Sequence, residues 1–224
     1  MNRSQASGMR RLAERYFIQL PTGDLRTSLA KDATVDWDKE FFRTESPDDE
    51  HSLMVEIGSG TGEALLARAQ ANPMARLIAF EVYEAAVAST LLKLEAANIG
   101  NVRILMVDGV QGLRQLFSPG SIDEICVYFP DPWHKKRHHK RRLINPEFAA
   151  LVASRLAPGG VWRMATDWPD YANQMLKVAS NTPGLGNEHP DWAPRPPSRP
   201  LTRFEKRGIT AGRPVRDLTF QRIP

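Results

Sequence analysis

The chain has 224 residues, of which 42% are hydrophobic and 25% charged, so it is long enough to bury a full core and is most simply one domain. Its single cysteine, Cys126, excludes an intrachain disulfide and suits a reducing compartment. No stretch approaches the ~18 apolar residues of a membrane span, and the N-terminus lacks an apolar signal region, so we expect a cytoplasmic protein that does not bind membranes.

The net charge of +4 is concentrated in three basic segments, at 3–31, 135–142 and 195–222. These segments hold 20 of the 30 Lys and Arg residues but only four of the 26 acids, which leaves the rest of the chain with a net charge of −12. Such an arrangement favours a polyanion-binding face, and the central run of six cations favours it most. An ordinary solvated surface is the alternative for the two terminal segments.

Short β-like runs alternate with helix-like stretches along the middle of the chain, which predicts a parallel sheet with helices on both faces. Five strands are predicted, at Leu53–Ile57, Leu77–Val82, Val102–Val107, Ile122–Phe129 and Val161–Thr166. The sequence Ala-Pro-Gly-Gly at 157–160 predicts a helix stop immediately before the fifth strand.

The C-terminal part of the chain predicts an antiparallel addition to this sheet. Residues 183–200 are rich in Pro and Gly and predict a long loop, and 201–222 predicts two strands joined by a turn at Thr210–Pro214. The expected fold is therefore α/β, with a mostly parallel seven-stranded sheet that ends in an antiparallel strand pair. Residues 1–50 are predicted to be a basic, irregular extension and residues 51–224 the main domain.

A glycine-rich turn follows the first strand, with the sequence Glu-Ile-Gly-Ser-Gly-Thr-Gly at 56–62. Glycines let a backbone turn tightly and approach a ligand closely at the start of a helix. A dinucleotide fingerprint needs its third glycine one position later, where this chain has Glu63, and Glu56 would repel a pyrophosphate. The turn therefore favours a cationic or zwitterionic ligand, such as the aminoacyl end of S-adenosylmethionine, with a purely structural turn as the alternative.

Acidic residues end three consecutive predicted strands: Glu56, Glu81 and Asp108. Glu81 lies nineteen residues after Gly62, close to the spacing at which an acid binds ribose hydroxyls. Asp108 is suited to hold the exocyclic amine of an adenine. Ligands of such sheets bind at the carboxyl ends of the strands. Each acid alone is explained by an ordinary surface position, but three in register with the glycines predict a nucleoside pocket.

The fourth predicted strand ends in Phe-Pro-Asp-Pro-Trp at 129–133. A proline on each side restricts the backbone, so Asp131 is expected to be held stiffly. The motif resembles the Asn/Asp-Pro-Pro-aromatic motif of amino-methyltransferases, which offers acceptors and a stacking face to a planar base. A turn residue is the alternative for Asp131, and a core aromatic is the alternative for Trp133.

His134, His138 and His139 lack metal-ligand spacing, so no metal site is predicted.

Taken in chain order, these motifs resemble the tRNA (guanine-N7)-methyltransferase family. The resemblance rests on V-E-I-G-x-G-x-G at 55–62, F-P-D-P-W-H-K-K-R-H at 129–138, A-T-D-W at 165–168 and T-R-F-E at 202–205. It covers about residues 50–222, whereas residues 1–50 match poorly. The chain departs from the family at Val82–Ala86, where the family has a His and a Pro-Gly pair.

The resemblance implies a Rossmann-like class I methyltransferase that moves the methyl group of S-adenosylmethionine to N7 of a guanosine in the variable loop of tRNA. It implies cofactor contacts for Glu56, Gly58, Gly60, Gly62, Glu81, Asp108 and Asp131, with Asp131 also the catalytic residue. Substrate contacts are implied for Lys135, Asp167, Thr202, Arg203, Phe204 and Glu205. RNA contacts are implied for Arg137, His138, His139, Lys140, Arg141 and Arg142.

Two other functions stay open at the level of sequence. A nicotinamide-dependent oxidoreductase is disfavoured by the glycine spacing and by Glu56. A non-catalytic RNA-binding domain on a methyltransferase-like scaffold is disfavoured because the acids and glycines are intact. The sequence leaves open whether the protein is a monomer or a homodimer, and which tRNAs it modifies.

Overall fold

The computed structural model of the chain describes residues 3–41 and 52–224, apart from the side chains of residues 3–5 and Arg203. The chain divides into two compact units. The first is Met1–Phe117 with Ser198–Pro200, and the second is Ser118–Pro197 with Leu201–Pro224. Within the described ranges, no helix combines the length and apolarity that a bilayer crossing requires.

The first unit is built on three parallel strands, β1 (Leu53–Ile57), β2 (Arg76–Phe80) and β3 (Val102–Leu105). Its helices are α1 (Arg3–Tyr16), α2 (Trp37–Phe41), α3 (Glu63–Ala71), α4 (Glu84–Ala96) and α5 (Gly109–Leu116). The strands are mostly apolar, as expected of parallel strands whose two faces are covered by helices. Leu77 and Ile104 of the strands and Leu91 of α4 are fully buried, and this packing fixes the ends of the strands.

Helix α1 is part of the core of the first unit. Leu12 and Tyr16 are buried, and the Tyr16 hydroxyl donates a 2.8 Å hydrogen bond to the carbonyl oxygen of Ile99. Phe17 then forms a parallel bridge with Ile104 of β3. The extension predicted to be irregular therefore begins with an ordered helix. The predicted boundary near residue 50 stays a prediction, because residues 42–51 lie outside the described part of the chain.

The second unit contains strands β4 (Ile122–Tyr128), β5 (Leu156–Thr166), β6 (Leu185–Asn187) and β7 (Arg216–Arg222). Its helices are a 3-10 helix (Lys136–Arg141), α6 (Pro146–Arg155), α7 (Pro169–Ser180) and α8 (Arg203–Thr210). β4 and β5 are parallel, whereas β7 runs antiparallel to both β5 and β6. Trp162, Tyr171 and Phe220 are completely buried in this unit.

The strands form one seven-stranded sheet in the order β3-β2-β1-β4-β5-β7-β6, which confirms the predicted mostly parallel sheet with antiparallel strands from the C-terminal region. The first five strands lie where the sequence predicts them, with ends shifted by one or two residues, except that β5 begins at Leu156. Residues 157–160 bulge out of β5, because Ile122 pairs with Leu156 while Glu124 pairs with Val161. Helix α6 does end directly before this strand, at Arg155, and the Ala-Pro-Gly-Gly motif itself forms a bulge inside the strand.

The prediction of two strands in residues 201–222 is wrong for the first of them. Residues 203–210 form α8, and β6, which pairs with β7, lies in the predicted loop at 183–200. Thr202 is the N-cap of α8, and its Oγ1 accepts a 3.2 Å hydrogen bond from the amide of Glu205. Thr-x-x-Glu is the sequence of a capping box, which is the local signal for a helix that the strand prediction overlooked.

Candidate active site

The glycine turn between β1 and α3 has the open backbone that close approach of a ligand requires. Gly58, Gly60 and Gly62 have φ of 75°, 55° and 77°, in the left-handed region that favours glycine. A Cβ added to Gly58 or Gly60 would meet no atom within 4 Å, whereas one on Gly62 would lie 2.5 Å from Cγ2 of Thr90. The first two glycines therefore border open space, and the third allows α3 to pack against α4.

Glu81, one residue beyond the end of β2, is bound to this turn. Its Oε2 accepts a 2.8 Å hydrogen bond from the amide of Gly60, and its Oε1 accepts one of 2.8 Å from the amide of Tyr83. Each carboxylate oxygen can accept a second hydrogen bond, so Glu81 retains acceptor capacity for hydroxyl groups. The carboxylate thus supports the turn and can also bind a ligand.

The other two strand-end acids differ in exposure. Glu56 is buried within β1, at 4% exposure, whereas Asp108 is exposed. Asp108 is also the N-cap of α5, where its Oδ1 accepts a 2.9 Å hydrogen bond from the amide of Gln111. This capping role was not predicted, although an Asp directly before a helix is its ordinary signal.

The residues of the first unit fit S-adenosylmethionine. The open space beside Gly58 and Gly60 leaves room for close backbone contact, and Glu81 supplies acceptors next to it. The acids Glu56 and Asp108 provide a negative environment, which suits a ligand with a sulfonium and an ammonium group better than a pyrophosphate. These features favour the cofactor predicted from the sequence over a dinucleotide.

In the second unit, Asp131 lies in a loop with a strained backbone. Phe129 and Trp133 have φ of 52° and 46°, an uncommon conformation for bulky residues that costs roughly 1–2 kcal/mol at each. The Phe129 amide donates a 2.8 Å hydrogen bond to the carbonyl oxygen of Ala165. Asp131 itself is exposed. The sequence indicated the flanking prolines but not the left-handed residues on either side of Asp131.

The basic run after Asp131 is an exposed 3-10 helix at Lys136–Arg141, with no buried residue. The guanidinium of Arg141 lies 5.0 Å from the centre of the Trp133 ring, and the His138 ring meets the same tryptophan edge-on at 5.9 Å. Lys135 is the N-cap and is exposed. His139 is partly exposed, as is His138, and Arg137 and Lys140 are exposed. This part of the predicted RNA surface is accessible and lies directly beside Trp133.

Arg142 does not belong to that surface. Only 1% of its side chain is exposed, and its Nη2 donates a 2.7 Å hydrogen bond to Oδ2 of Asp170. This hydrogen bond holds the pKa of the Asp170 carboxyl below its ordinary value. A guanidinium engaged in this way has no free face for a phosphate, so the predicted RNA contact of Arg142 is contradicted by its burial.

Two further predicted substrate residues, Asp167 and Glu205, each have an arginine partner. Oδ2 of Asp167 accepts hydrogen bonds of 2.8 Å from Nε and 2.7 Å from Nη2 of Arg213. Oε1 of Glu205 accepts a 2.7 Å hydrogen bond from Nε of Arg195, which raises the pKa of the Arg195 guanidinium. Asp167 is partly exposed, whereas only 1% of the Glu205 side chain is exposed. The N-cap of the following helix, α7, is Trp168 and not Asp167.

The rest of the T-R-F-E motif is divided between the inside and the outside of α8. Thr202 is buried as the N-cap, and Phe204 is 55% exposed. The side chain of Arg203 lies outside the described part of the chain. The arginines that orient the acids, Arg195 and Arg213, were not singled out from the sequence, because no spacing rule links them to partners 10 and 46 residues away.

Metal binding receives no support from the described residues, in which no group of three or more His, Cys, Asp or Glu side chains could hold an ion. His134, just before the basic run, and His139, within it, have other contacts. His134 packs against Trp168 with ring centroids 4.0 Å apart, and His139 lies beside Asp170 and Arg142.

Solved structures with the same fold include the 16S rRNA methyltransferase KamB, with a TM-score of 0.61 and 18% identity over 87% of this chain and 97% of that one. TrmN from Thermus thermophilus aligns with a TM-score of 0.56 and 18% identity, over 77% of this chain and 44% of that one. Likeness at these identities concerns the fold alone. Together with the glycine turn and the strand-end acids, it defines a Rossmann-like class I methyltransferase, the class whose methyl donor is S-adenosylmethionine.

Comparison of sequences narrows the class to a family. Residues 50–218 match the family described as "Putative methyltransferase". The chain is 49% identical over 226 residues to the tRNA (guanine-N(7)-)-methyltransferase of Cutibacterium acnes, covering 100% of this chain and 80% of that protein. The corresponding protein of Nocardioides sp. is 50% identical over 76% of this chain and 67% of its own length. The chain belongs to the tRNA (guanine-N(7)-)-methyltransferase family, as its motifs predict.

Proposed function

We propose that the protein transfers the methyl group of S-adenosylmethionine to N7 of a guanosine in the variable loop of tRNA. The observation that carries the proposal is the 49% identity, over the whole chain, to a relative named for this activity. The acceptor nucleotide within the tRNA, which the relative's name does not specify, follows from the motif resemblance. Since tRNA is the substrate, we also propose that the protein works in the cytoplasm.

The reaction places modest chemical demands on the protein. Guanine N7 has a free lone pair and needs no general base to attack the methyl of a sulfonium, which the cofactor supplies when bound. Catalysis then consists mainly of positioning and electrostatic stabilisation. The guanine becomes positively charged as the methyl is transferred, so a nearby carboxylate stabilises the transition state more than the substrate. We assign this role to Asp131, because it is exposed and lies in a loop whose backbone is strained at Phe129 and Trp133.

Recognition of guanine needs acceptors, because its N1–H and N2–H₂ groups are donors. Asp167 is the better candidate of the two arginine-paired acids. Nε and Nη2 of Arg213 both contact Oδ2 of Asp167, and the carboxylate is partly exposed. Glu205 is buried, and in this conformation its hydrogen bond with Arg195 orients α8. We propose that Asp167 binds the base and that Glu205 acts on the base through the position of α8.

The polynucleotide is proposed to bind along the 3-10 helix. Its exposed cations would neutralise phosphates, which supplies affinity without sequence information. Trp133 lies between these cations and Asp131 in the chain and would stack on a nucleotide. Acids would then specify the base, and the adjacent cations would offset the repulsion between those acids and the phosphates.

Transfer of a labelled methyl group to bulk tRNA, followed by nucleoside analysis, tests the proposal directly. The expected product is N7-methylguanosine in the variable loop. Calorimetry with S-adenosylhomocysteine and with NAD distinguishes the methyltransferase from the oxidoreductase alternative. The methyltransferase requires binding of S-adenosylhomocysteine, and the oxidoreductase requires binding of NAD. A folded protein that binds tRNA without transferring label would instead support the non-catalytic alternative and overturn the proposal.

A further inference from the structure

The buried Arg142 side chain links the loop at Pro132 to α7 in the second unit. Its Nε donates a 2.8 Å hydrogen bond to the carbonyl oxygen of Pro132, and its Nη1 donates one of 2.7 Å to Oε1 of Gln174. With the bond to Asp170, every guanidinium nitrogen has an acceptor, and the group lies 4.8 Å from the centre of the Tyr171 ring. A buried guanidinium is stable only with such partners, so their positions are fixed together with its own.

The carbonyl that Arg142 holds belongs to the strained loop around Asp131. Strained backbone persists only where the surroundings determine it from several sides. Before Asp131, the amide of Phe129 is bound to Ala165 of β5. After Asp131, the carbonyl of Pro132 is bound to Arg142. The catalytic carboxylate is therefore held between one contact to β5 and one contact to Arg142.

We propose that Arg142 is a positioning residue for Asp131, which fixes the Pro132 carbonyl and through it the direction of the Asp131 carboxylate. The inference rests on the proposed function, since it assigns Asp131 to the reaction. It replaces the RNA contact that the sequence predicts for Arg142. It also gives different roles to two arginines that are adjacent in the sequence. Arg141 faces outward against Trp133, whereas Arg142 faces inward against α7.

Arg142 also joins the loop to the basic helix. The Arg142 amide donates a 3.0 Å hydrogen bond to the carbonyl oxygen of His139, and its Nη2 lies 3.0 Å from Nε2 of the same histidine. The segment that carries the exposed cations therefore ends on the residue that holds the Asp131 loop.

The variant Arg142→Lys tests the proposal, because a lysine cannot serve the Pro132, Gln174 and Asp170 acceptors together. We expect the single-turnover rate at saturating tRNA and cofactor to fall ~10-fold or more, since a small displacement of a catalytic group has effects of this size. The tRNA dissociation constant and its salt dependence should stay within twofold of the wild type. Arg163→Lys is the matched control, because Arg163 forms an ion pair with Glu124 in the same unit and should keep its rate.

Two results would overturn the proposal. A weaker tRNA affinity with a flatter salt dependence and an unchanged saturating rate would make Arg142 an RNA contact. A lower melting temperature with an unchanged saturating rate would make it a residue of stability only. If Arg142→Lys does not fold, Asp170→Ala replaces it, since 65% of the Asp170 side chain is exposed and the change removes one acceptor of the Arg142 guanidinium. Its expected rate loss is smaller, ~2- to 3-fold.

A measurement without substrate separates failure of this inference from failure of the proposed function. Hydrogen exchange of peptides that cover 129–133 should be several-fold faster in Arg142→Lys than in the wild type, while peptides from β5 exchange as before. If the wild type proves inactive on tRNA, this comparison still tests whether Arg142 holds the loop. Equal exchange in the two proteins would refute it.

Discussion

At the scale of single residues, Asp131 combines an exposed carboxylate with a backbone that has little freedom to move. The prolines beside it were visible in the sequence, and they predict a stiff backbone at this position. The left-handed residues Phe129 and Trp133 were not predictable, because neither residue type prefers that conformation. The partners that hold the loop, Ala165 and Arg142, come from other elements, and such contacts depend on the tertiary fold.

The charge of Asp131 should matter more than its shape. Asp131→Ala should fold and bind tRNA nearly normally, since phosphates supply most of the affinity, but methyl transfer should fall ~10²-fold or more. Asp131→Asn should recover little, because it removes the charge and replaces one acceptor with a donor. Single-turnover rates at saturating tRNA and cofactor measure the effect of both Asp131 variants. Asp123→Asn on β4 is the control. Near wild-type rates for Asp131→Asn would exclude charge stabilisation by this residue.

Glu81 is expected to have two functions, since it supports the glycine turn and offers acceptors to a ribose. Glu81→Ala should weaken binding of S-adenosylmethionine by ~1.5–3 kcal/mol, the range for hydrogen bonds to a charged group. Calorimetry measures the dissociation constant, and Glu95→Gln, whose wild-type carboxylate is bound to Arg11, is the control. An unchanged constant in the folded Glu81 variant would remove Glu81 from the ribose role.

At the scale of elements, α8 explains why the C-terminal region was only partly predictable. The turn at Thr210–Pro214 suggested a strand on each side of it, but such a turn can also follow a short helix, and the choice between them depends on packing. The helix turns Thr202, Glu205 and Gly208 inward, at a spacing of three residues. The capping box at Thr202 was the one local signal in favour of the helix.

Gly208 lets α8 approach Asp167 closely. A Cβ at this position would lie 2.6 Å from Oδ2 and 2.7 Å from Cβ of Asp167. Gly208→Ala should therefore displace either α8 or Asp167, and the overpacking cost of ~1–3 kcal/mol should exceed the helix propensity gained, which is roughly 1 kcal/mol. We expect a lower melting temperature and a raised KM for tRNA. Thr210→Ala, on the exposed side of α8, should change neither. A Gly208 variant with unaltered stability and KM would show that Asp167 has room to move.

At the scale of the whole molecule, the distribution of charge along the sequence overestimates the surface available for RNA. Many arginines of the two terminal segments bind groups within the protein. Arg11 pairs with Glu95, Arg195 with Glu205 and Arg213 with Asp167. Arg199 is buried as well. A count of charges cannot distinguish an arginine that is paired in the fold from one that faces solvent, because the pairing depends on tertiary contacts. Five of the six cations of the central run are exposed, because the density of the run leaves few internal partners.

The exposed cations of the 3-10 helix should therefore account for a large share of tRNA affinity. Replacing Arg137, Lys140 and Arg141 with alanine should weaken binding and lower the slope of log affinity against log salt by up to ~1 for each lost phosphate contact. Cofactor affinity should be unchanged, because none of the acids and glycines expected to hold the cofactor is replaced. The matched control replaces Lys39, Arg114 and Lys177 with alanine. These residues are exposed and lie outside the three basic segments, and their replacement changes the net charge equally.

If both triple variants lose affinity to the same extent, general charge attracts the RNA and the helix is not a specific site. If only the first variant binds weakly and shows the smaller salt slope, the phosphates lie along the 3-10 helix, next to the loop that carries Asp131.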